Sequence, residues 1–369
     1  MDYQRTMTFL MMLAVNLALN GRGSNVASKV ELGCAESVKT IYGEFVITEP
    51  ILIELLASKA MQRLKKVHQL GISRYVQKTT PYSRYDHSVG VFVLLRRFNQ
   101  SLAEQIAGLL HDVSHTVFSH VADYLFTSKE MENSYQDGIH KWFLEKTDIM
   151  PIIAKYGYCL DDFMHKNGKF VALEQDLPNL CADRIEYTLY EYAIDIGLEN
   201  TLAVHTQIEY LLKHLHFENG VWFFDQIDAA RTYARLSLGF TKDHWASAFG
   251  MYTYTMAART LQRALDIKLI DYDTIHFGTD DDVWETLKAS SDTQIRHNLD
   301  KICYNGRAYR LGSSNNYDMH LKAKFRGVDP FVATPQGLER LSKLDCAFAK
   351  EFTTLKEQIL EGVYIKDLL

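Results

Sequence analysis

The sequence predicts a mainly α-helical protein, and three observations carry that prediction. Long segments repeat apolar residues every three or four positions, as helices with one buried face require. Proline is scarce, six in 369 residues, so few helices are broken from within. Strand-like patches are short and lie between helical runs instead of following one another. The expected architecture is a helical core with a helical C-terminal extension and a few short β segments. Three parts are expected: an extension at 1–37, a helical domain at 38–215, and a mostly helical region at 216–369 packed on it.

In order, Thr6 to Leu19 is an apolar run of fourteen residues preceded by Arg5. It resembles a signal-peptide core, but it is too short to span a bilayer comfortably and Ala18-Leu19-Asn20 is a poor cleavage site. It therefore reads as an amphipathic extension or an upstream start, with export or targeting left open. Residues 21–37, rich in Gly, Ser and Asn, read as a linker. Val38 to Ile53 suggests a short strand or turn leading into a helix. Glu54 to Gly71 has helical spacing through Leu55, Leu56, Met61, Leu64, Val67 and Leu70, with Gly71 as its stop.

Helices are expected at 85–98, 101–112, 117–127 and 135–146. Another covers 173–192, interrupted near Pro178. FENGVWFF, around residues 217–224, carries an Asn-Gly hairpin signal. Helices resume from Asp228 to Leu269, where Trp245, Phe249, Met251, Tyr252, Tyr254 and Met256 read as core or an oligomer face. Asp280 to Asp282 suit the positive end of a helix, not a second metal site. Residues 301–334 suggest irregular or small β structure, and a last helix covers 336–361.

The formal net charge of −6 argues against a broad nucleic-acid surface. Cys34, Cys159, Cys181, Cys303 and Cys346 are scattered and form no CxxC pair, which fits reduced thiols in a cytoplasmic compartment and no zinc-thiolate site. No membrane span is expected.

Chemistry concentrates in Tyr82–Asp123: YSRYDHSVGV, a helical run, then GLLHDVSHTVFSHVAD. Imidazoles from His87 and His111 and carboxylates from Asp112 and Asp183 suit one divalent ion such as Fe, Mn, Co, Zn or Mg. Such an ion would lower the pKa of bound water and offset phosphoryl charge. His120 and Asp123, three apart, put an imidazole and its orienting carboxylate on one helical face. Arg84 stands three residues before His87 and could donate beside the same metal.

The spacing His87 … His111-Asp112 … Asp183 resembles the HD-superfamily metal-dependent phosphohydrolases. MQRLKKVHQLGISRYV, YSRYDHSVGV and LLHDVSHTVFSH narrow the likeness to the sterile-alpha-motif/HD-domain dNTP triphosphohydrolases and their bacterial homologues, from about Val38 to Glu191. That resemblance implies metal ligands at His87, His111, Asp112 and Asp183 and a catalytic pair at His120 and Asp123. It implies further active-site histidines at His115 and His140 and a phosphate contact at Arg84. Gln69 and Leu70 match the pair that touches the deoxyribose. Arg184 and Tyr187 match groups holding phosphates and sugar, and Glu191 stands where the family has an Asp near the sugar.

Departures fall on the regulatory and base sites. Gln62 is kept, but Ala57 and Lys65 replace the family's Asp and Arg, and Lys141 replaces a Glu. KDHWASAFGMYTY offers Lys242, His244, Trp245 and Tyr252 without a clear register.

The implied function is hydrolysis of dNTPs to deoxynucleoside and triphosphate by water attack at the α-phosphorus. The alternatives are an HD phosphohydrolase of nucleoside monophosphates or other phosphoesters, and a catalytically weak nucleotide-sensing protein. The resemblance also implies a nucleotide partner, a homo-oligomer, and a second Mg arriving with substrate phosphates.

Overall fold

A hairpin opens the described chain: β1 (Glu36–Thr40) pairs antiparallel with β2 (Gly43–Ile47). Gly43, at a φ of +112°, closes the turn, a conformation that favours glycine. The computed structural model describes residues 35–77, 80–126, 134–164, 168–197, 201–303 and 307–369. The apolar run Thr6–Leu19 and the start of the expected linker lie outside the described residues.

The helix expected at 54–71 is instead α1 (Pro50–Ala57) and α2 (Lys59–Arg63), followed by 3₁₀ turns at Leu64–Lys66 and Gly71–Tyr75. The break is made by Ser58, whose Oγ accepts from the Met61 N–H at 3.2 Å. The Asp148 carboxylate accepts from the Lys59 and Ala60 N–H groups, so a new helix start is more stable here than continuation. Gly71 is not a helix stop. At a φ of +50° its Cα lies against the Phe118 carbonyl, where a Cβ would collide.

Short polar residues start the helices that carry the site. Ser83 and Asp86 form a capping box for α3 (Arg84–Arg97). Ser101 caps α4 (Leu102–Leu110). The helix expected at 117–127 shortens to α5 (Val121–Phe126), because Phe118 and Ser119 adopt positive φ in the turns before it. Ser134 caps α6 (Tyr135–Lys146), and α7 (Ile149–Lys155) follows.

The helix expected at 173–192 begins later, as α8 (Ala182–Ile196). The preceding turns are held by Glu104 of α4, whose buried carboxylate accepts from the Ala172 and Leu173 N–H groups at 2.9 and 3.1 Å. The Ala172 and Leu173 carbonyls in turn accept from Ala182 and Asp183. Asp183 is thereby tied to the helix that ends at His111.

The rest of the chain is α9 (Thr201–Lys213), the hairpin β3 (Leu215–Glu218) and β4 (Val221–Phe224), and α10 (Ile227–Phe240). The hairpin turns at Asn219-Gly220, both at positive φ, as the Asn-Gly signal predicts. A π-helical turn, Thr241–Trp245, breaks the run expected at 228–269 before α11 (Ala248–Asp266). Then come α12 (Tyr272–Phe277), α13 (Asp280–Ala289) and α14 (Thr293–Cys303). Strands β5 (Tyr309–Leu311), β6 (Met319–Leu321), β7 (Phe331–Thr334) and β8 (Gly337–Arg340) precede α15 (Leu341–Leu344), α16 (Cys346–Glu361) and β9 (Val363–Asp367). The sheets run β3-β4-β7-β8 and β5-β9-β6.

Two apolar clusters hold these elements. The larger joins α1, α3, α4 and α8 to α10, Phe325, Val332 and Phe348. The second joins Ile72, Val117, Phe118 and Val121 to α11, α13 and α14. Residues beyond 215 therefore enter both cores, and the described chain from Ala35 onward is one unit. The fold is mainly α, as expected. No helix among the described residues is long and apolar enough to cross a membrane.

Candidate active site

Four stretches meet at one point: the first turn of α3, the end of α4, the turns at 111–120 and the first turn of α8. His87 Nε2 lies 3.2 Å from His111 Nε2 and 3.0 Å from Asp183 Oδ1. Ligand atoms of His87, His111 and Asp183 all fall within 4.8 Å of one another. Asp112 stands beside them, 3.5 Å from His87 Nε2 and 3.6 Å from His111 Nε2. Its carboxylate also accepts from Arg84 Nη1 at 2.5 Å and faces His115 Nε2 at 3.1 Å.

The outer nitrogens of the two imidazoles are occupied. His111 Nδ1–H donates to the Gly108 carbonyl at 2.7 Å. His87 Nδ1 bonds the Glu186 carboxylate, which also accepts from the Tyr82 hydroxyl at 2.5 Å. Both rings therefore turn an Nε2 lone pair inward, toward each other and toward Asp183. Two lone pairs and two carboxylates facing inward repel without a cation. A separation of about 3 Å suits adjacent ligands about 2.1 Å from one ion.

The electrostatics agree. Burial alone would depress His87, yet the Glu186, Asp183 and Asp112 carboxylates draw its pKa up to about 10. The pocket thus demands a positive charge. A divalent ion would meet that demand and leave the imidazoles neutral, so the residues present fit a metal.

Glu186 is the supporting residue that sequence reading missed, although it follows Asp183 by three positions on the same helix face. It has no solvent exposure. Gly90, one turn after His87, makes room for it, since a Cβ there would collide with the Glu186 carboxylate. Tyr82 is fixed in turn by stacking on Tyr190 at 3.7 Å.

The remaining histidines divide. His115 is buried behind Asp112, and its pKa falls to about 3 through burial and the Arg84 charge. It braces a carboxylate and does not open to the cleft. His120 is partly exposed, with Nδ1 3.0 Å from Asp123 Oδ2. Asp123 also accepts from the Tyr135 N–H at 2.8 Å. Burial would raise Asp123, but the hydrogen bond to His120 holds it below the usual carboxylate range.

His140 is oriented by a chain that sequence reading also missed. Gln136 Nε2 donates to the His111 carbonyl at 2.7 Å and to Ser114 Oγ at 2.9 Å. Ser114 Oγ in turn lies 2.7 Å from His140 Nδ1. That contact fixes the ring, and burial, then the nearby His111 charge, lower its pKa to about 4. His140 is therefore a neutral imidazole near pH 7, with one N–H to donate.

The expected substrate contacts are placed unevenly. The Gln69 N–H donates to the Tyr82 carbonyl, while Gln69 Oε1 is buried with no hydrogen-bond partner. The Leu70 carbonyl accepts from the Tyr254 hydroxyl at 3.0 Å. Tyr187 lies beside His87 and meets Trp245 edge-on at 4.9 Å.

Glu191 is buried and faces Trp245 Nε1 at 3.4 Å and His244 Nδ1 at 3.3 Å, so the KDHW segment reaches the site through the π-helical turn. Arg84 is engaged by Asp112 and Ser119. Arg184 is engaged by the Gln175 and Asn179 carbonyls and the Glu174 carboxylate. Burial, then the neighbouring Asp183, raise Glu174 to about 7. Glu174, Cys181 and Asp183 form a second ligand-like group, in which Arg184 already bonds the Glu174 carboxylate and Cys181 Sγ.

Comparison with known proteins agrees with this geometry. The HD-domain family model matches residues 84–155. An uncharacterized protein of Bacillus subtilis, YdhJ, is 32% identical over 328 residues, covering 89% of this chain and 98% of its own. The metal-dependent phosphohydrolase cns2 of Cordyceps militaris is 29% identical over 324 residues, covering 87% and 91%. Human deoxynucleoside triphosphate triphosphohydrolase SAMHD1 is 30% identical, but over 129 residues, 29% of this chain and 21% of its own.

A solved phosphohydrolase structure from Bacteroides thetaiotaomicron superposes with a TM-score of 0.65 at 14% identity, covering 90% of this chain and all of that one. With two imidazoles and a carboxylate converging where the family motif falls, this chain belongs to the HD-domain metal-dependent phosphohydrolases.

Proposed function

We propose that the chain hydrolyses a nucleotide phosphoester, with His87, His111, Asp112 and Asp183 holding one divalent ion. The observation that supports this most is the paired imidazoles, tied through Nδ1 and presenting Nε2 beside Asp183. A metal bound there supplies a nucleophilic water at neutral pH and offsets phosphoryl charge.

The chain's own groups do the rest. Asp123 fixes His120 through Nδ1, leaving Nε2 to pass a proton to the departing ester oxygen. His140 offers an N–H to a phosphate oxygen. His115 and Arg84 hold the Asp112 carboxylate in place. Gln69, Leu70 and Tyr187 border the space for the sugar, with Glu191 behind them.

Two substrate readings follow. The arginines favour a substrate presenting a single phosphate, such as a nucleoside monophosphate. Arg84 and Arg184 are both engaged by carboxylates, so neither is open to a triphosphate. The second reading, a dNTP triphosphohydrolase, is supported by the orphaned Gln69 Oε1 beside Leu70 and by the short stretch of likeness to SAMHD1.

Incubating the metal-loaded protein with nucleoside mono- and triphosphates and identifying products by phosphorus NMR separates the two. Orthophosphate from a monophosphate supports the first reading, and inorganic triphosphate from a dNTP supports the second. No turnover of either overturns the enzymatic reading.

A further inference from the structure

The engagement of Arg84 and Arg184 leaves open what grips the phosphate on the side away from the metal. Residues 325–330 supply a candidate. Phe325, Gly327, Val328, Asp329 and Pro330 are all buried, and Arg326 alone among the six is partly exposed. The run is anchored on both sides of that residue. Phe325 packs edge-on against Phe352 at 5.1 Å. A Cβ at Gly327 would collide with the Phe325 ring, and Leu238 presses from the other side.

Asp329 accepts from the Ser342 N–H and hydroxyl at 3.0 and 2.7 Å. The Asp329 N–H donates to the Pro178 carbonyl at 3.0 Å, and Arg340 bonds both the Asp329 carbonyl and Asn179 Oδ1. The run is therefore pinned to the turn that leads, five residues on from Pro178, into Asp183. On this fixed backbone the Arg326 charge reaches Tyr124, Tyr187 and Tyr254, where it favours each phenolate. Tyr187 lies 6.4 Å from the His87 ring, the Tyr254 hydroxyl donates to the Leu70 carbonyl, and Tyr124 packs against Tyr254 at 5.9 Å. Among the described residues, Arg326 makes no hydrogen bond or ion pair with the protein.

A partly buried guanidinium without a carboxylate, held on a rigid segment beside a phosphohydrolase centre, is arranged to receive an anion. We infer that Arg326 grips the substrate phosphate, contributed by the C-terminal segment and not by the helices that carry the metal cluster. The inference rests on the phosphoester reading of the site and assigns its phosphate contact.

The test is calorimetric titration of inorganic phosphate into the metal-loaded full chain, comparing wild type with Arg326→Ala and Arg326→Lys, with thermal melting of each. Arg326→Ala should weaken phosphate binding by about tenfold or more, Arg326→Lys should recover part of it, and melting should be unchanged. On whichever nucleotide is turned over, KM should rise far more than kcat falls. Unchanged phosphate affinity in Arg326→Ala overturns the inference, as does a loss of affinity that appears only with a fall in melting temperature. Absence of phosphate binding by wild type overturns it too. If no nucleotide is turned over, the proposed function fails, while the phosphate titration still decides Arg326.

Discussion

The metal side and the substrate side of this cleft are built on different principles. On the metal side each proposed ligand is held by a second group, although Glu186 Oε1 and His115 Nδ1 in that support are themselves without a hydrogen-bond partner. Gly108 and Glu186 hold the outer nitrogens of the imidazoles, Arg84 and His115 brace Asp112, and Glu104 ties the start of α8 back to α4. On the proposed substrate side Gln69 Oε1 is orphaned, and Arg326 pairs with no carboxylate among the described residues. The first arrangement fixes a geometry before anything binds. The second leaves donors and acceptors to be completed by the ligand.

That contrast orders the expected effects of mutation. Replacing His87 or Asp183 by Ala should abolish both metal content and turnover, with kcat down by about a thousandfold or more, since the metal supplies nucleophile and charge together. His120→Ala should lower kcat by about 10²- to 10⁴-fold while metal content, read by elemental analysis, stays at the wild-type level. Metal loss in that variant would join the two sides that the structure separates.

Glu186→Gln keeps the size of the side chain but removes the charge behind His87, and should weaken metal affinity by about 10- to 100-fold. Gly90→Ala attacks the same support sterically. Because α3 and α8 must part to admit the methyl group, it should cost about 1–3 kcal/mol in denaturant unfolding. A Gly90→Ala protein as stable as wild type would show that Glu186 can move aside freely.

The smallest effect is pH-dependent. Asp123 is held below its ordinary range, so its stabilising contribution is present above the unfolded carboxylate pKa of about 3.9 and is lost as pH falls through the lower folded value. The stability gap between wild type and Asp123→Asn should therefore be largest near neutrality and close in acid. A gap that widened below pH 4 would contradict the His120–Asp123 assignment.

The metal side was the legible side. His111-Asp112 at a helix end and His87 on the preceding helix are local spacings, and local spacing survives into the fold. Asp183 lies outside that stretch, and nothing local shows that Glu104 will tie the start of its helix to α4. Glu186 and the Gln136–Ser114–His140 chain are side-chain geometry, which periodicity does not encode. The expected helix at 54–71 failed because Ser58 and a distant Asp148 make a new helix start there. The partner of Arg184 was illegible for a related reason: Glu174 arrives through a turn, and a pattern of residues gives no sign of which carboxylate will claim a guanidinium. Arg326 comes from a segment more than 140 residues past Asp183 and carries no motif of its own.

The central claim is that the paired imidazoles and Asp183 form a metal centre, and metal content tests it most directly. Elemental analysis of dialysed wild type, His87→Ala, Asp183→Ala and His120→Ala should find one divalent ion per chain in wild type and His120→Ala, and none in the other two. A stoichiometric ion retained by His87→Ala and Asp183→Ala, or no ion bound by wild type across the divalent series, would contradict the account.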